Sequence, residues 1–567
     1  MHISGATLRP SARRYFLVPL LACCVLPVGC EDTGPGQSRD EAVVQALRTV
    51  SRTGRGLPGP RPGEEELADL RRLYQSSGYT PLWFKAAGDL HGRGKEMLLR
   101  LADASAEGLR PEDYFAARLD SLASQISEQK EADPRSVARL DAGLSLAVLR
   151  FLRHVHVGRV SPRSIGLSMD APRERHDYVV LLGGALRDGT LDEIVDELVP
   201  PLHQYRLVRE ALAGYRKRQA DSVGEAAIQV SVPLQPGETA AGLEALARRL
   251  ALTGDLATDI SVIPARYEGE LVEAVRRFQA RHGLTPDSVL GKETLDELNV
   301  PWSWRIHQLE LSLERLRWLG DLGNEPFLLV NIPMFELTAW SSPAAAGLPA
   351  FRTGVIVGKA LDTETPVFVE AMRYVVFQPY WNIPPSITRE ETIPAIERDR
   401  EYLRKNDMEI VQGQGDDADP VGPSGGAIEK LARGELRVRQ RPGPRNALGP
   451  VKFVFPNNQN VYLHGTPAEQ LFDRTRRDFS HGCVRVEDVT GLAEWVLSGQ
   501  ALWTRDRIVE ATQDRTRVSQ KVGLSRPLTV VLFYATATVE ADGTVRFARD
   551  IYRHDPDLDR ALHLAAD

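Results

Sequence analysis

Two histidines and a cysteine stand together in the stretch VYLHGTPAEQLFDRTRRDFSHGCVRVED, residues 461–488. They are His464, His481 and Cys483, in a chain of 567 residues with twelve histidines and four cysteines. The other cysteines, Cys23, Cys24 and Cys30, all lie in the first thirty residues. Cys483 therefore has no intramolecular disulfide partner once that region is removed. A solitary thiol in an exported chain is at risk of oxidation, and its retention points to use.

A thiol attacks as thiolate, and a neighbouring imidazole can take its proton while forming an ion pair that lowers the cysteine's pKa. His464 is the expected base. In NVYLHG, strand alternation puts Tyr462 and His464 on one face and Val461 and Leu463 on the other. The Gly465 carbonyl is free to hold the imidazole in one tautomer. Gly482 lets the backbone pass close to a substrate carbonyl, so that the N–H groups of Gly482 and Cys483 form an oxyanion hole worth about 3 kcal/mol per donor. Asp488 suits an N-cap ahead of VTGLAEWVL, which places Cys483 in a loop feeding a helix, where free backbone N–H groups favour an anion.

Two blander readings fare worse. A zinc site on the same residues is disfavoured because His-x-Cys sets its ligands awkwardly close. An inert buried cysteine is at odds with Ser480, His481, Gly482 and Arg485 around it, all poor core residues. No metal or cofactor is expected.

The length exceeds what one hydrophobic core supports, so three or more units are expected. A net charge of −7 is mild and no basic stripe alternates with aromatics, which argues against nucleic acid as a partner. Arg9, Arg13 and Arg14 precede the apolar run YFLVPLLACCVLPVG, which stops at Cys30 before Glu31 and Asp32. Residues 1–30 thus read as an export signal, too short and proline-broken for a span needing about 20 apolar residues. Gly29-Cys30 resembles a bacterial lipoprotein site, which makes Cys30 the lipidation candidate. Cys23 is a rival anchor, and ARRYFL resembles a twin-arginine signal. Cleavage and release is the plain alternative. The expected location is the periplasm, with a lipid tether to a membrane if the cysteine is acylated.

Residues 31–64 read as a Gly/Pro-rich linker and 65–235 as a helical domain. Leu144, Val148, Phe151, Leu152 and Val155 recur there at helical spacing, and His154 and His156 close that helix as surface residues. Residues 236–302 form a small helical unit whose first long helix buries Val272, Val275 and Phe278. From 325 to 512 β-rich runs dominate, interrupted at 390–445 by a long charged, then Gly/Pro-rich insert of the kind that serves as a lid. Residues 513–567 read as a C-terminal hairpin extension turning at Asp542-Gly543.

His464 followed by Ser480-His481-Gly482-Cys483, Val484 and Arg485 resembles the L,D-transpeptidase catalytic domain. Phe278, Gln279, Gly283, Leu284, Asp287, Gly291 and Thr294 resemble the motif of the three-helix peptidoglycan-binding module, with Ser288 where that motif has glycine. TPLWF (80–84), HVHVGRVSP (154–162), PYWNIPPSI (379–387), PGPRNALGPVKFVFPN (442–457) and DIYRHD (550–555) look like the large multidomain branch of the family. The implied fold is multidomain α+β: a helical scaffold domain, a peptidoglycan-binding-like module, and a β-rich, β-sandwich-like catalytic domain with a capping insert.

The resemblance implies that Cys483 is the acyl-forming nucleophile, His464 the general base and acid, and Gly465 the orienting carbonyl. Ser480, His481 and Gly482 complete the motif, and Arg485, Tyr462, Trp381 and Asn382 are candidate substrate contacts. The expected reaction is transfer of a tetrapeptide stem, cut after its third residue, to a side-chain amine of another stem, giving a 3→3 cross-link in peptidoglycan. Hydrolysis of the same acyl-enzyme, as an L,D-carboxypeptidase, and a non-catalytic wall-binding scaffold are the alternatives. The expected partners are donor and acceptor stem peptides and the cell wall.

Overall fold

The computed structural model describes residues 35–564 except 85–89, 130, 170–175, 223–225, 258–264, 321, 323, 346, 362 and 424. Residues 1–30, expected to be an export signal, and with them the candidate anchors Cys30 and Cys23, lie outside the described residues. Among those residues, no helix is long and apolar enough to cross a membrane.

The first core is helical. Its axis is the helix Pro134–Val157, started by Pro134 and capped by Asp133, whose carboxylate accepts the Ser136 N–H at 3.0 Å. Leu144, Val148, Phe151, Leu152 and Val155 are fully buried along it. Asp141, also fully buried, explains the TPLWF run. It accepts the N–H groups of Leu82 (3.0 Å) and Trp83 (2.9 Å) and the Tyr74 hydroxyl (2.5 Å), while the Trp83 indole donates to Ser145 at 2.8 Å. Burial lifts the Asp141 carboxyl to about 6 despite these donors.

Two expectations need correction here. The linker 31–64 contains a helix, Pro35–Thr53, whose Val43, Leu47 and Val50 join this core. Their helical spacing is flanked by Gly/Pro-rich segments that mask it. His154 and His156 are partly buried, not free surface residues: their rings meet the hydroxyls of Tyr114 (3.0 Å) and Tyr178 (2.9 Å).

A second core spans residues 228–298. Gln279, 1% exposed, organises its loop: its amide donates to Asp287 (3.0 Å), Val289 O (2.9 Å) and Thr294 (3.1 Å) and accepts the Ser288 N–H (2.9 Å). Ser288 occupies the left-handed region at φ +63°, the conformation that a glycine would adopt without strain.

The largest core belongs to the β-rich part, and it also takes in the helices His203–Asp221 and Trp302–Arg317. The first of these was read with the helical domain, yet its Tyr205, Val208, Leu212 and Tyr215 pack here. The strands are β1 (Phe327–Asn331), β2 (Glu336–Trp340), β3 (Phe351–Gly358), β4 (Phe368–Phe377), β5 (Trp381–Asn382), β6 (Met408–Gln412), β7 (Asp419–Val421), β8 (Arg437–Gln440), β9 (Val451–Val454), β10 (Leu463–His464), β11 (Asp478–Ser480), β12 (Val484–Val486), β13 (Gln520–Phe533), β14 (Ala537–Val539) and β15 (Val545–Phe547). Nine form one sheet in the order β11-β3-β12-β10-β9-β4-β13-β1-β2, and β2 also pairs with β3. That last pairing closes eight strands into a ring, so the two faces of the sandwich are joined at both sides.

β13 alters the reading of residues 513–567. It lies inside the ring, antiparallel to β4 and parallel to β1, and only β14 and β15 form the separate hairpin around Asp542-Gly543. Strand order depends on pairing between distant segments, which local periodicity does not carry. The insert between β4 and β9 has its own core of Ile383, Ile396, Leu403, Met408, Ile410, Leu431, Leu436 and Val438, and its own sheet β5-β8-β6-β7.

Candidate active site

β10 sits between β9 and β12, and its register sets the electrostatics. His464 is opposite Lys452 of β9 on one side and Arg485 of β12 on the other. Residues directly opposite across adjacent strands face the same way, so the imidazole stands in a row between two cations. Its Nδ1–H donates to the Gly465 carbonyl at 2.5 Å, which leaves Nε2 unprotonated. Burial first, then Arg485 and Lys452, push the His464 pKa down to about 3. The imidazole is neutral at neutral pH.

Cys483 is half-buried just before β12. Its Sγ lies 3.6 Å from the Asn460 carbonyl. Burial pushes the thiol up, against the Tyr462 backbone N–H, the Lys452 ammonium, the Tyr462 hydroxyl and the Arg485 guanidinium, which pull it down. The Tyr462 ring is 5.5 Å from the His464 ring, as strand alternation requires, and the Lys452 ammonium is 3.8 Å from the centre of the Tyr462 ring. The phenol also takes a hydrogen bond from the Trp381 side chain. Tyr462 thus joins the sulfur, the base and the insert.

The motif loop is held from below. Ser480 Oγ donates to the Cys483 carbonyl (2.5 Å) and accepts the Gly482 N–H (3.2 Å). Thr363 Oγ1 donates to Ser480 O (3.0 Å) and Thr365 Oγ1 to Gly482 O (2.8 Å), while Gly482 adopts φ +108°. Tyr552, from DIYRHD, donates to Gly358 O at 2.7 Å and accepts the Thr365 N–H at 3.1 Å.

Residues 325–517 match the family model described as "L,D-transpeptidase catalytic domain", residues 68–212 a "Scaffold domain" and residues 240–298 a "Putative peptidoglycan binding domain". A protein of Haemophilus influenzae named "Putative L,D-transpeptidase" is 33% identical over 254 residues, which are 45% of this chain and 49% of that one. The match thus spans about half the length of the curated relative. The chain carries an L,D-transpeptidase catalytic domain.

In this L,D-transpeptidase domain three expectations change. In place of the imidazolium–thiolate pair expected at rest, His464 is a neutral imidazole and Cys483 a thiol, because desolvation opposes the charged form of each and two cations flank the ring. The Gly482 N–H is taken by Ser480 Oγ, so the oxyanion donor left in the loop is the Cys483 N–H, which meets no acceptor among the described residues. Strand β12 separates Cys483 from the helix Val489–Leu497, so the helix start, capped by Asp488 as expected (2.8 Å to Gly491 N), does not follow the nucleophile directly.

The capping insert meets the domain beside the motif. His481 Nε2 is 2.7 Å from Glu391 Oε1, so this histidine contacts the insert and not the thiol. Trp381 and Asn382 lie in β5, paired with Gln440 and Arg439 of the insert's sheet. The Asn382 amide donates to Asp416 at 3.0 Å, and its buried Oδ1 has no partner among the described residues. Lys452, Glu391 and the Thr363–Thr365 brace carried no signal in the sequence.

Proposed function

We propose that the domain catalyses acyl transfer on peptidoglycan stem peptides, joining a tetrapeptide donor to a side-chain amine of an acceptor. The Cys483 sulfur attacks the carbonyl carbon of the third stem residue as His464 Nε2 takes the thiol proton. The oxyanion is met by the Cys483 N–H, with Lys452 and Arg485 offsetting its charge. Collapse breaks the C–N bond to the terminal D-alanine, whose amine receives the proton from His464. The acceptor amine then attacks the thioester, returns a proton to His464 and frees the sulfur. With meso-diaminopimelate at position three the product is a 3→3 cross-link.

The observation that carries this reading is the neutral His464, fixed through Nδ1 by Gly465 with Nε2 open, on the same face as the Tyr462 phenol that reaches the Cys483 sulfur. With Nδ1 committed to Gly465, Nε2 is the ring nitrogen whose lone pair is free to take the thiol proton as the sulfur attacks.

The test is incubation of pure protein with disaccharide-tetrapeptide and mass analysis of the products. Cross-linked dimer together with free D-alanine supports transfer. Tripeptide alone would replace it with an L,D-carboxypeptidase, and an unchanged product profile from Cys483→Ala would leave a wall-binding scaffold. The export signal and wall-binding-like unit fit a protein placed outside the cytoplasm, where tethering raises effective concentration at an insoluble polymer. Membrane anchoring through a lipidated Cys30 belongs to the same proposal.

A further inference from the structure

Between the peptidoglycan-binding unit and the catalytic domain lies a cleft of about 830 Å³. One wall is residues 283–286 of that unit. The others are residues 472–477, which run into Ser480, and residues 546–553. Thr285 and Thr475 bridge the two sides, hydroxyl to hydroxyl, at 2.8 Å.

Seven arginines line the cleft against three carboxylates, Glu293, Asp473 and Asp550. Four of the arginines are already matched: Arg281 by Asp255, Arg476 by Asp478, Arg546 by Glu336 and Glu540, and Arg549 by Glu293. Asp550 is occupied by the Tyr534 hydroxyl and the N–H groups of His554 and Asp555. Arg474, Arg477 and Arg553 have no carboxylate within ion-pair distance among the described residues. Arg477 gives two N–H groups to the carbonyls of Phe472 (3.2 Å) and Phe335 (2.9 Å), and its buried Nε has no acceptor. Arg474 and Arg553 are exposed.

DIYRHD acquires a second use here. Asp550, Tyr552 and Asp555 are consumed by internal hydrogen bonds, and Arg553, at φ +59°, is turned to the cleft instead. Its neighbour Tyr552 supports Thr365, which holds the Gly482 carbonyl, so this wall is continuous with the nucleophile's loop.

Unmatched guanidinium forks are suited to carboxylates. A chain with net charge −7 repels extended polyanions, and a bounded cleft of this volume suits one short ligand. We propose that the cleft is a subsite for the free carboxylates of the acceptor stem peptide, held by Arg474 and Arg553 with Arg477 behind them. The assignment rests on the acyl-transfer reading, since it supplies the second substrate of that reaction.

The test uses full-length Cys483→Ala protein, so that nothing turns over, and disaccharide-tripeptide, which lacks the terminal D-alanine and cannot act as donor. Calorimetric titration is expected to show binding that weakens with salt and falls at least tenfold when Arg474→Gln and Arg553→Gln are added, with Arg526→Gln as the unaffected control. Tripeptide with its carboxylates amidated is expected to bind at least tenfold more weakly to the parent. Equal affinity in either comparison overturns the subsite. Tighter binding of a single-stranded oligonucleotide, lost in the same double variant, overturns the stem-peptide assignment. Failure of the acyl-transfer reading shows separately, as absence of a thioester mass adduct when Cys483 protein meets tetrapeptide.

Discussion

Tyr462→Phe removes one hydroxyl from the centre of the site and little else. That hydroxyl stands between the Trp381 side chain and the Cys483 sulfur. A hydrogen bond to a charged acceptor contributes roughly 1.5–3 kcal/mol, and each 1.36 kcal/mol is one pKa unit. The thiolate loses that stabilisation while the thiol loses little, so the Cys483 pKa, already raised by burial, moves further up by about one to two units. The thiolate fraction at neutral pH then falls about ten- to a hundredfold. A more basic thiolate is also a better nucleophile, with a Brønsted slope near 0.5, so the net loss in reactivity is about three- to tenfold. The assay is the rate of iodoacetamide alkylation between pH 6 and 11 on parent and variant protein begun at residue 35, so that Cys483 is the one cysteine left. A midpoint that stays in place or moves down refutes the view that this phenol stabilises the sulfur anion.

Three other outcomes follow from the same contacts. Asp141→Ala strands the N–H groups of Leu82 and Trp83 and the Tyr74 hydroxyl around a fully buried position, which at roughly 1–3 kcal/mol per orphaned group costs about 3–9 kcal/mol in urea unfolding; a loss under 1 kcal/mol contradicts it. His464 keeps a pKa of about 3 against 6.5 for the free group, so the unfolded chain takes up the proton first. Stability is complete above about pH 6.5 and is lost as pH falls toward 3, by at most roughly 5 kcal/mol from this residue. His154 and His282, also pushed down by burial, add in the same sense, while Asp141 acts oppositely between about 6 and 3.8. Urea midpoints at pH 7 and pH 4.5 check this, and His464→Gln should flatten the slope. Glu391→Gln weakens a largely exposed contact to His481, so it changes stability by less than about 1 kcal/mol, but it loosens the insert over the motif and raises the ratio of tripeptide to cross-linked dimer in product analysis. An unaltered ratio removes the insert from the exclusion of water.

What the sequence carried was local. Alternation in NVYLHG put Tyr462 and His464 on one face, the Asp488 cap is where it was expected, and FRTGVIVG is β3 residue for residue. What it did not carry were pairings between segments far apart. Lys452, His464 and Arg485 form a row because β9, β10 and β12 are neighbours, and no spacing along the chain encodes that adjacency. The Gly482 N–H was assigned to an oxyanion because its nearest competitor, Ser480 Oγ, becomes a competitor only once the loop turns at φ +108°. β13 looked like an appendage for the same reason, since its place between β4 and β1 is a fact of long-range order.

That cross-strand row also decides how the chemistry starts. Two fixed cations beside an imidazole disfavour its protonated form, and the same cations favour a thiolate or an oxyanion once one forms. At rest the thiol keeps its proton, which limits oxidation, because the thiolate is the oxidisable species. On the acyl-transfer reading, Lys452 and Arg485 are already in place as negative charge develops on a substrate carbonyl and need not reorganise. The arrangement stabilises the reacting state more than the resting one, and that difference is the property a catalytic site requires.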